Sequence, residues 1–266
     1  MPSHIVVTRF NVGIYSDDTM LCGRQSRLRN KDKDKWVRNR LDLMEQVCLK
    51  SLKSQKSQNF KWIVLVDEKT PSHLLLFIIA TVEPYGKVIV TPTLDGKDWF
   101  NSVFNSKEFI EDAIKLNSKN WIDKAFDDDG VLYSTRLDSD DALHPNFISL
   151  TQDLASKFVN DMSDGEKVCI DFPQTCFHHK ERFSIIKYDG GTHAVNVAHT
   201  LIETSPPYTT SCSMNHMLIG KTCKVLKYDT VEPMVMRMVH DDNTLTVKSK
   251  GISIPMVECF KHIVKT

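Results

Sequence analysis

The chain has 266 residues, with 34 Lys and Arg against 34 Asp and Glu and a formal net charge of zero. With 41% hydrophobic and 26% charged residues it reads as an ordinary soluble globular protein. That balance argues against a nucleic-acid coat or a polybasic membrane anchor, and the longest apolar run, Leu74 to Ala80, is far too short to cross a bilayer. The seven cysteines (22, 48, 169, 176, 212, 223, 259) are odd in number and form no CxxC pair. They point to a reducing cytoplasm and away from a disulfide framework or a Cys-zinc site. Met-Pro-Ser-His leads straight into a strand-like run and carries no leader pattern.

Residues 4–10 are β-branched and aromatic and read as a first strand. Between Arg24 and Arg40 lie eight basic residues and only two acidic ones. That stretch is either a solvated face or an electropositive rim, even a lid, for a phosphorylated ligand. Val37, Leu41, Met44, Cys48 and Leu52 recur at helical spacing and predict an amphipathic helix over 36–54. Ile63 to Val66 is a continuous apolar run ending in Asp67, the pattern of a buried parallel strand. A helix over 72–82 and a strand over 87–90 follow, and 109–116 and 121–126 look helical. Asp127 to Gly130 reads as a solvated turn before a strand over 131–137, and 145–160 as a helix after Pro145. The second half changes to short β-like runs at 167–172, 183–188, 224–228, 234–239 and 244–248. The Met-rich run 234–238 reads as core strand, and His178 and His179 as surface residues without zinc-pair spacing. The sum is one α/β domain over 1–266, with a mostly parallel, helix-flanked sheet and a β-rich C-terminal half.

Ligands in such sheets bind beyond the carboxyl ends of the strands. Asp67 and the cluster Asp138-Ser139-Asp140-Asp141 end two strong strands, so they are expected on one rim. Three carboxylates in four residues raise one another's pKa unless a cation neutralises them. Hard oxygen ligands suit Mg²⁺ or Mn²⁺ beside substrate phosphates. The plainer alternative is a polar turn that caps the next helix.

"Thr-Arg-Leu-Asp-Ser-Asp-Asp-Ala-Leu-His-Pro" (135–145) resembles the Asp-Xaa-Asp element of nucleotide-sugar glycosyltransferases with the GT-A fold. More closely, it is similar to a rhamnosyltransferase-like family. "Thr-Arg-Phe-Asn-Val" (8–12), Trp36 to Gln55 and Phe60 to Pro71 agree with that family in order. The resemblance implies a nucleotide-sugar-binding half over 1–150 and an acceptor-side half over 151–266. It implies a nucleotide-diphosphate sugar donor, a glycan or other hydroxyl acceptor, and Mn²⁺ or Mg²⁺ as Lewis acid on the diphosphate. By that likeness Asp138 meets the ribose or a metal-bound water, Asp140 binds the metal, and Asp141 supports it or faces the sugar. Asp67 holds the base or ribose, Arg9 lies beneath the nucleotide, Arg136 pairs with a carboxylate or the diphosphate, and His240 completes the metal site. A homodimer is left open; nucleic acid is not expected as a partner.

A general base must take the acceptor's proton. Glu203 is the first choice, followed by Asp171 and His199. Three rivals stand beside the transferase. One is a haloacid-dehalogenase-type phosphohydrolase, disfavoured by the late position of the cluster and by Asp141. Another is a non-catalytic sugar- or metal-binding module. A metal-dependent nuclease rests only on the 24–40 basic stretch and is opposed by the neutral overall charge.

Overall fold

The computed structural model describes residues 3–12, 14–15, 32–91, 130–179, 182–187, 196–205, 211, 219–240, 252–254 and 258–264. The helices expected at 109–116 and 121–126, the strand at 244–248, most of the turn at 127–130 and the basic residues up to 31 lie outside them.

The first half alternates as expected. β1 (Ser3–Arg9) is followed by a long helix, α1 (Lys33–Leu43). The helix passes through a π-helical stretch, Met44–Leu49, into a last turn, α2 (Lys50–Lys53). Asp32 caps it, its carboxylate accepting from the Lys35 amide at 3.1 Å. Val37, Met44, Cys48 and Leu52 are buried on one face, as their spacing predicts. Then come β2 (Lys61–Asp67), α3 (Ser72–Val82), β3 (Gly86–Thr91) and β4 (Leu132–Arg136). α3 buries Leu74, Ile78 and Val82 at successive fours and leaves Leu76 and Phe77 exposed. β3 lies close against β2 because residue 86 is glycine: a Cβ there would sit 2.7 Å from the Trp62 carbonyl oxygen. Trp62 is buried, and its indole N–H donates to Thr8 Oγ1 at 2.9 Å, which ties β2 to β1.

The second half supplies β5 (Asp141–Leu143), α4 (Phe147–Ala155), β6 (Lys167–Asp171), β7 (Gln174–His179), β8 (Arg182–Lys187) and β9 (Thr200–Glu203). After these come β10 (Lys224–Lys227), β11 (Val235–Met238), β12 (Ile252–Ile254) and a short helix, α5 (Lys261–Val264). The main sheet has seven strands in the order β10-β6-β9-β4-β1-β2-β3. All its pairs are parallel except those of β9, which runs against both β4 and β6. The expected α/β fold is therefore present, with a mixed sheet. A second sheet, β12-β8-β7-β11-β5, forms the β-rich part.

Met234, Val235 and Met236 are buried, in line with a core strand. The histidine pair needs a correction. His179 is exposed, but His178 is buried in β7 with its ring 4.6 Å from that of Phe183. Alternation along the strand sends the two side chains to opposite faces. Gln55 fastens the layers near the acidic cluster. Its amide donates to the His144 carbonyl at 2.9 Å, and its Oε1 accepts from the Ile148 amide at 3.1 Å, capping the start of α4.

Candidate active site

β4, β1 and β2 are parallel neighbours, so their carboxyl ends emerge on one edge. Arg9 ends β1, Asp67 ends β2, and Arg136 ends β4 two residues before Asp138. The expected common rim is thus present. Asp67 is two strands from β4, about 10 Å at the usual strand spacing. Asp67 is 1% exposed, and its backbone is fixed by Asn11, whose Oδ1 accepts from the Asp67 amide at 3.0 Å. Asn11 Nδ2 in turn donates to Thr70 Oγ1 at 2.8 Å, tying the chain just after β1 to the turn after β2.

Each of the three clustered carboxylates faces an arginine. Arg136 Nη2 reaches Asp138 Oδ1 at 3.1 Å. Arg40, from α1, forks onto Asp140: Nη1 to Oδ2 at 2.6 Å and Nη2 to Oδ1 at 2.8 Å. Its Nε donates to Ser139 Oγ at 2.8 Å. His240 Nε2 lies 2.9 Å from the same Asp140 Oδ2. Arg237 Nε is 3.6 Å from Asp141 Oδ2, an oxygen with no hydrogen bond among the described residues.

The electrostatics differ along the cluster. Burial opposes ionisation of Asp138, but Arg136, Arg9, Arg237 and Arg40 outweigh it and hold its carboxyl well below the usual range. Asp140 behaves alike: burial is overcome by Arg40 and by the hydrogen bond from His240. Asp141 goes the other way. Burial and the neighbouring Asp140 charge raise it well above the usual range, and Arg237 only partly offsets them.

These placements do not fit the expected divalent ion. Both oxygens of Asp140 are engaged by one guanidinium, Asp138 is turned to Arg136, and His240 serves Asp140. Among the described residues no three His, Cys, Asp or Glu side chains converge as metal ligands.

Glu203 lies away from that rim. β9 runs antiparallel to β4, and Glu203 pairs with Leu132, the first residue of β4. The four steps from Leu132 to Arg136 put about 13 Å between Glu203 and the rim. There Glu203 is buried and bridged to Lys167 at 3.2 Å. A cavity of 680 Å³ lined by Asn59, Tyr133, Gln152, Met162 and Thr204 opens on that same far edge.

Asp171 does reach the rim. β6 runs parallel to β4, both being antiparallel to β9 between them, and Asp171 ends β6. It is 1% exposed, and its Oδ1 accepts from the Asn196 amide at 2.8 Å. Burial pushes its carboxyl up to about 6, against hydrogen bonds from the Asn196 and Phe172 backbone and the charge of Lys227. His199 is buried beside it; its backbone oxygen accepts from the Arg136 amide at 3.1 Å, and its Nδ1 lies 2.9 Å from the Asn196 oxygen. Sequence reasoning missed Arg40, Ser139, Arg237 and Asn11 as site residues.

A family model described as "Putative rhamnosyl transferase" matches residues 3–251. The chain belongs to that family. The likeness to a rhamnosyltransferase-like family read from the sequence is met at the level of the family. Among solved structures, the chain is similar to S. aureus TarS 1-349 in complex with UDP-GlcNAc. The TM-score is 0.44 at 9% identity, over 92% of this chain and 60% of that one. The same TarS fragment with UDP gives 0.42 at 11% identity, over 90% and 61%. Mouse xyloside xylosyltransferase 1, apo form, gives 0.29 at 11% identity, over 65% and 54%. The chain therefore spans about 60% of the length of the TarS fragment it resembles. No curated protein matches it in sequence. Among the described residues no helix is long and apolar enough to cross a membrane.

Proposed function

We propose that this chain transfers a hexose or deoxyhexose from a nucleoside-diphosphate sugar to a hydroxyl of a glycan, lipid-linked sugar or protein. The observation that supports it most is the row of polar groups on one sheet edge. Asp67, Arg9, Arg136 with Asp138, and Asp171 end parallel strands in a family of sugar transferases. Asp67 at one end of the row would hold the ribose or base. Arg9 and Arg136 would bracket the diphosphate in the middle.

Asp171 replaces Glu203 as the base. In the transfer step the bond from the sugar's anomeric carbon to the diphosphate oxygen breaks, and its electron pair stays on that oxygen. The acceptor oxygen bonds to the same carbon, and its proton passes to the Asp171 carboxylate. A base with a pKa near 6 is mostly ionised at neutral pH and still takes a proton readily. Asp141 would remain neutral and face the sugar as a hydrogen-bond donor.

The test is release of nucleoside diphosphate from a panel of UDP-, GDP-, dTDP- and ADP-sugars, with Asp171→Asn as the control. Release from at least one donor is expected, with a drop of about 10²–10⁴ in the variant while nucleotide binding persists. No release from any donor would leave the non-catalytic binding module standing. An Asp171→Asn protein as fast as the parent would remove Asp171 from the role.

A further inference from the structure

The first residue of the expected metal-binding acid pair faces one arginine, and the second is gripped by another. Arg40 sits one turn beyond Trp36 on α1, its guanidinium 5.6 Å from that ring. A guanidinium carries five N–H donors. Nε is spent on Ser139, Nη1 on Asp140 with His240 Nε2 3.2 Å away, and one Nη2 hydrogen on Asp140. The second Nη2 hydrogen has no partner among the described residues. The side chain remains 15% exposed. Four groups from three segments therefore aim a fixed positive charge at the rim and leave at least one donor over.

We propose that Arg40, rather than a divalent cation, is the charge that meets the donor's diphosphate, with Ser139, Asp140 and His240 as the residues that position it. The inference rests on the nucleotide-sugar reading above. A rigid fork already paired with a buried carboxylate has little orientational freedom left to lose on meeting a phosphate oxygen. The negative charge that collects on the leaving diphosphate then finds a donor already in place. A divalent ion at Asp140 would have to displace that fork or lie directly beside its positive charge. Asp140 is thus a holder of Arg40 and not a metal ligand.

Calorimetric titration of the full chain with UDP, GDP, dTDP and ADP, each in EDTA and in Mn²⁺, tests this without turnover. At least one nucleotide is expected to bind in EDTA, with Mn²⁺ changing Kd less than threefold. Arg40→Ala should weaken that binding at least tenfold. Arg40→Lys should weaken it nearly as much, because an ammonium has no fork. Binding that appears only with Mn²⁺, or an Arg40→Lys protein that binds like the parent, overturns the inference and leaves the nucleotide reading intact. No binding of any nucleotide in either condition overturns both. The metal comparison uses only the parent chain, so it decides even if Arg40→Ala fails to fold.

Discussion

Asp171→Asn should make the protein more stable at pH 8 while it removes the proposed base. Burial raises the Asp171 carboxyl from 3.8 to about 6. A raised carboxyl pKa means the folded state holds its proton more tightly than the unfolded chain. Between those two values the folded state binds more protons, so stability falls as pH rises through the window. Below about pH 4 the penalty is absent; above about pH 6 it is complete. A gap of about two units, at 1.36 kcal/mol each, makes it about 3 kcal/mol. Asparagine keeps an oxygen for the Asn196 amide but loses the second acceptor, which costs about 1 kcal/mol. The variant should therefore be about 2 kcal/mol more stable than the parent at pH 8 and about 1 kcal/mol less stable at pH 4. Urea unfolding of both proteins at the two pH values, at one ionic strength, measures the difference. If the stability gap between the two proteins is the same at both pH values, Asp171 does not carry the perturbed proton and the reasoning fails.

Two further perturbations follow from the buried polar groups. Asp140→Ala leaves Arg40 with an unmatched charge in a site where its side chain is 15% exposed, and should cost about 3–5 kcal/mol. Replacing both residues with apolar ones should recover much of that loss, so a double-mutant cycle should give a coupling above about 1 kcal/mol; additivity would refute the pairing. His4 lies at the start of β1, its Nε2 2.8 Å from Thr135 Oγ1, and burial lowers its pKa from 6.5 to about 3. A lowered histidine pKa costs stability as pH falls below 6.5. At pH 4.5 the loss is about 3 kcal/mol relative to pH 7.5. His4→Gln should lack that component, read as the change in ΔG between the two pH values. Equal acid sensitivity in both proteins would contradict it.

The first half of the fold was legible because its elements are long and periodic. The spacing that buries Val37, Met44, Cys48 and Leu52 is visible in the chain itself, and so is the apolar run that becomes β2. Short strands were harder. β5 is three residues and β9 four, too few for alternation to show. The place of Glu203 was hidden for a sharper reason. Which edge a strand's last residue occupies depends on strand direction, and a four-residue segment carries no mark of that. Asp171 and Glu203 both end strands of one sheet, yet the reversal of β9 sends them to opposite edges. Arg40 escaped because its partner is 100 residues away. Among eight basic residues in a row of seventeen, nothing local separates the one that turns inward.

That inward turn changes what the acidic cluster means. A run of Asp-Xaa-Asp-Asp after a strand asks for positive charge, and the sequence alone suggests an ion from outside. The fold answers with its own cations. Arg136 comes from the same strand end, Arg40 from the helix after β1, and Arg237 from the second sheet, where it pairs with Asp141 across β11 and β5. Three separate layers thus converge on one loop, which makes the cluster a junction as well as a candidate site. Asp141 is the exception that matters chemically. It shares the loop but its carboxyl is pushed up and one oxygen lacks a hydrogen bond among the described residues. Leaving a buried polar oxygen without a hydrogen bond costs about 1–3 kcal/mol, and each such group calls for a reason. A sugar hydroxyl next to the diphosphate can accept from the protonated carboxyl, so Asp141→Ala should weaken donor-sugar binding more than binding of the bare nucleoside diphosphate. Calorimetry with the two ligands side by side measures this, and equal losses for both would place Asp141 in the scaffold alone.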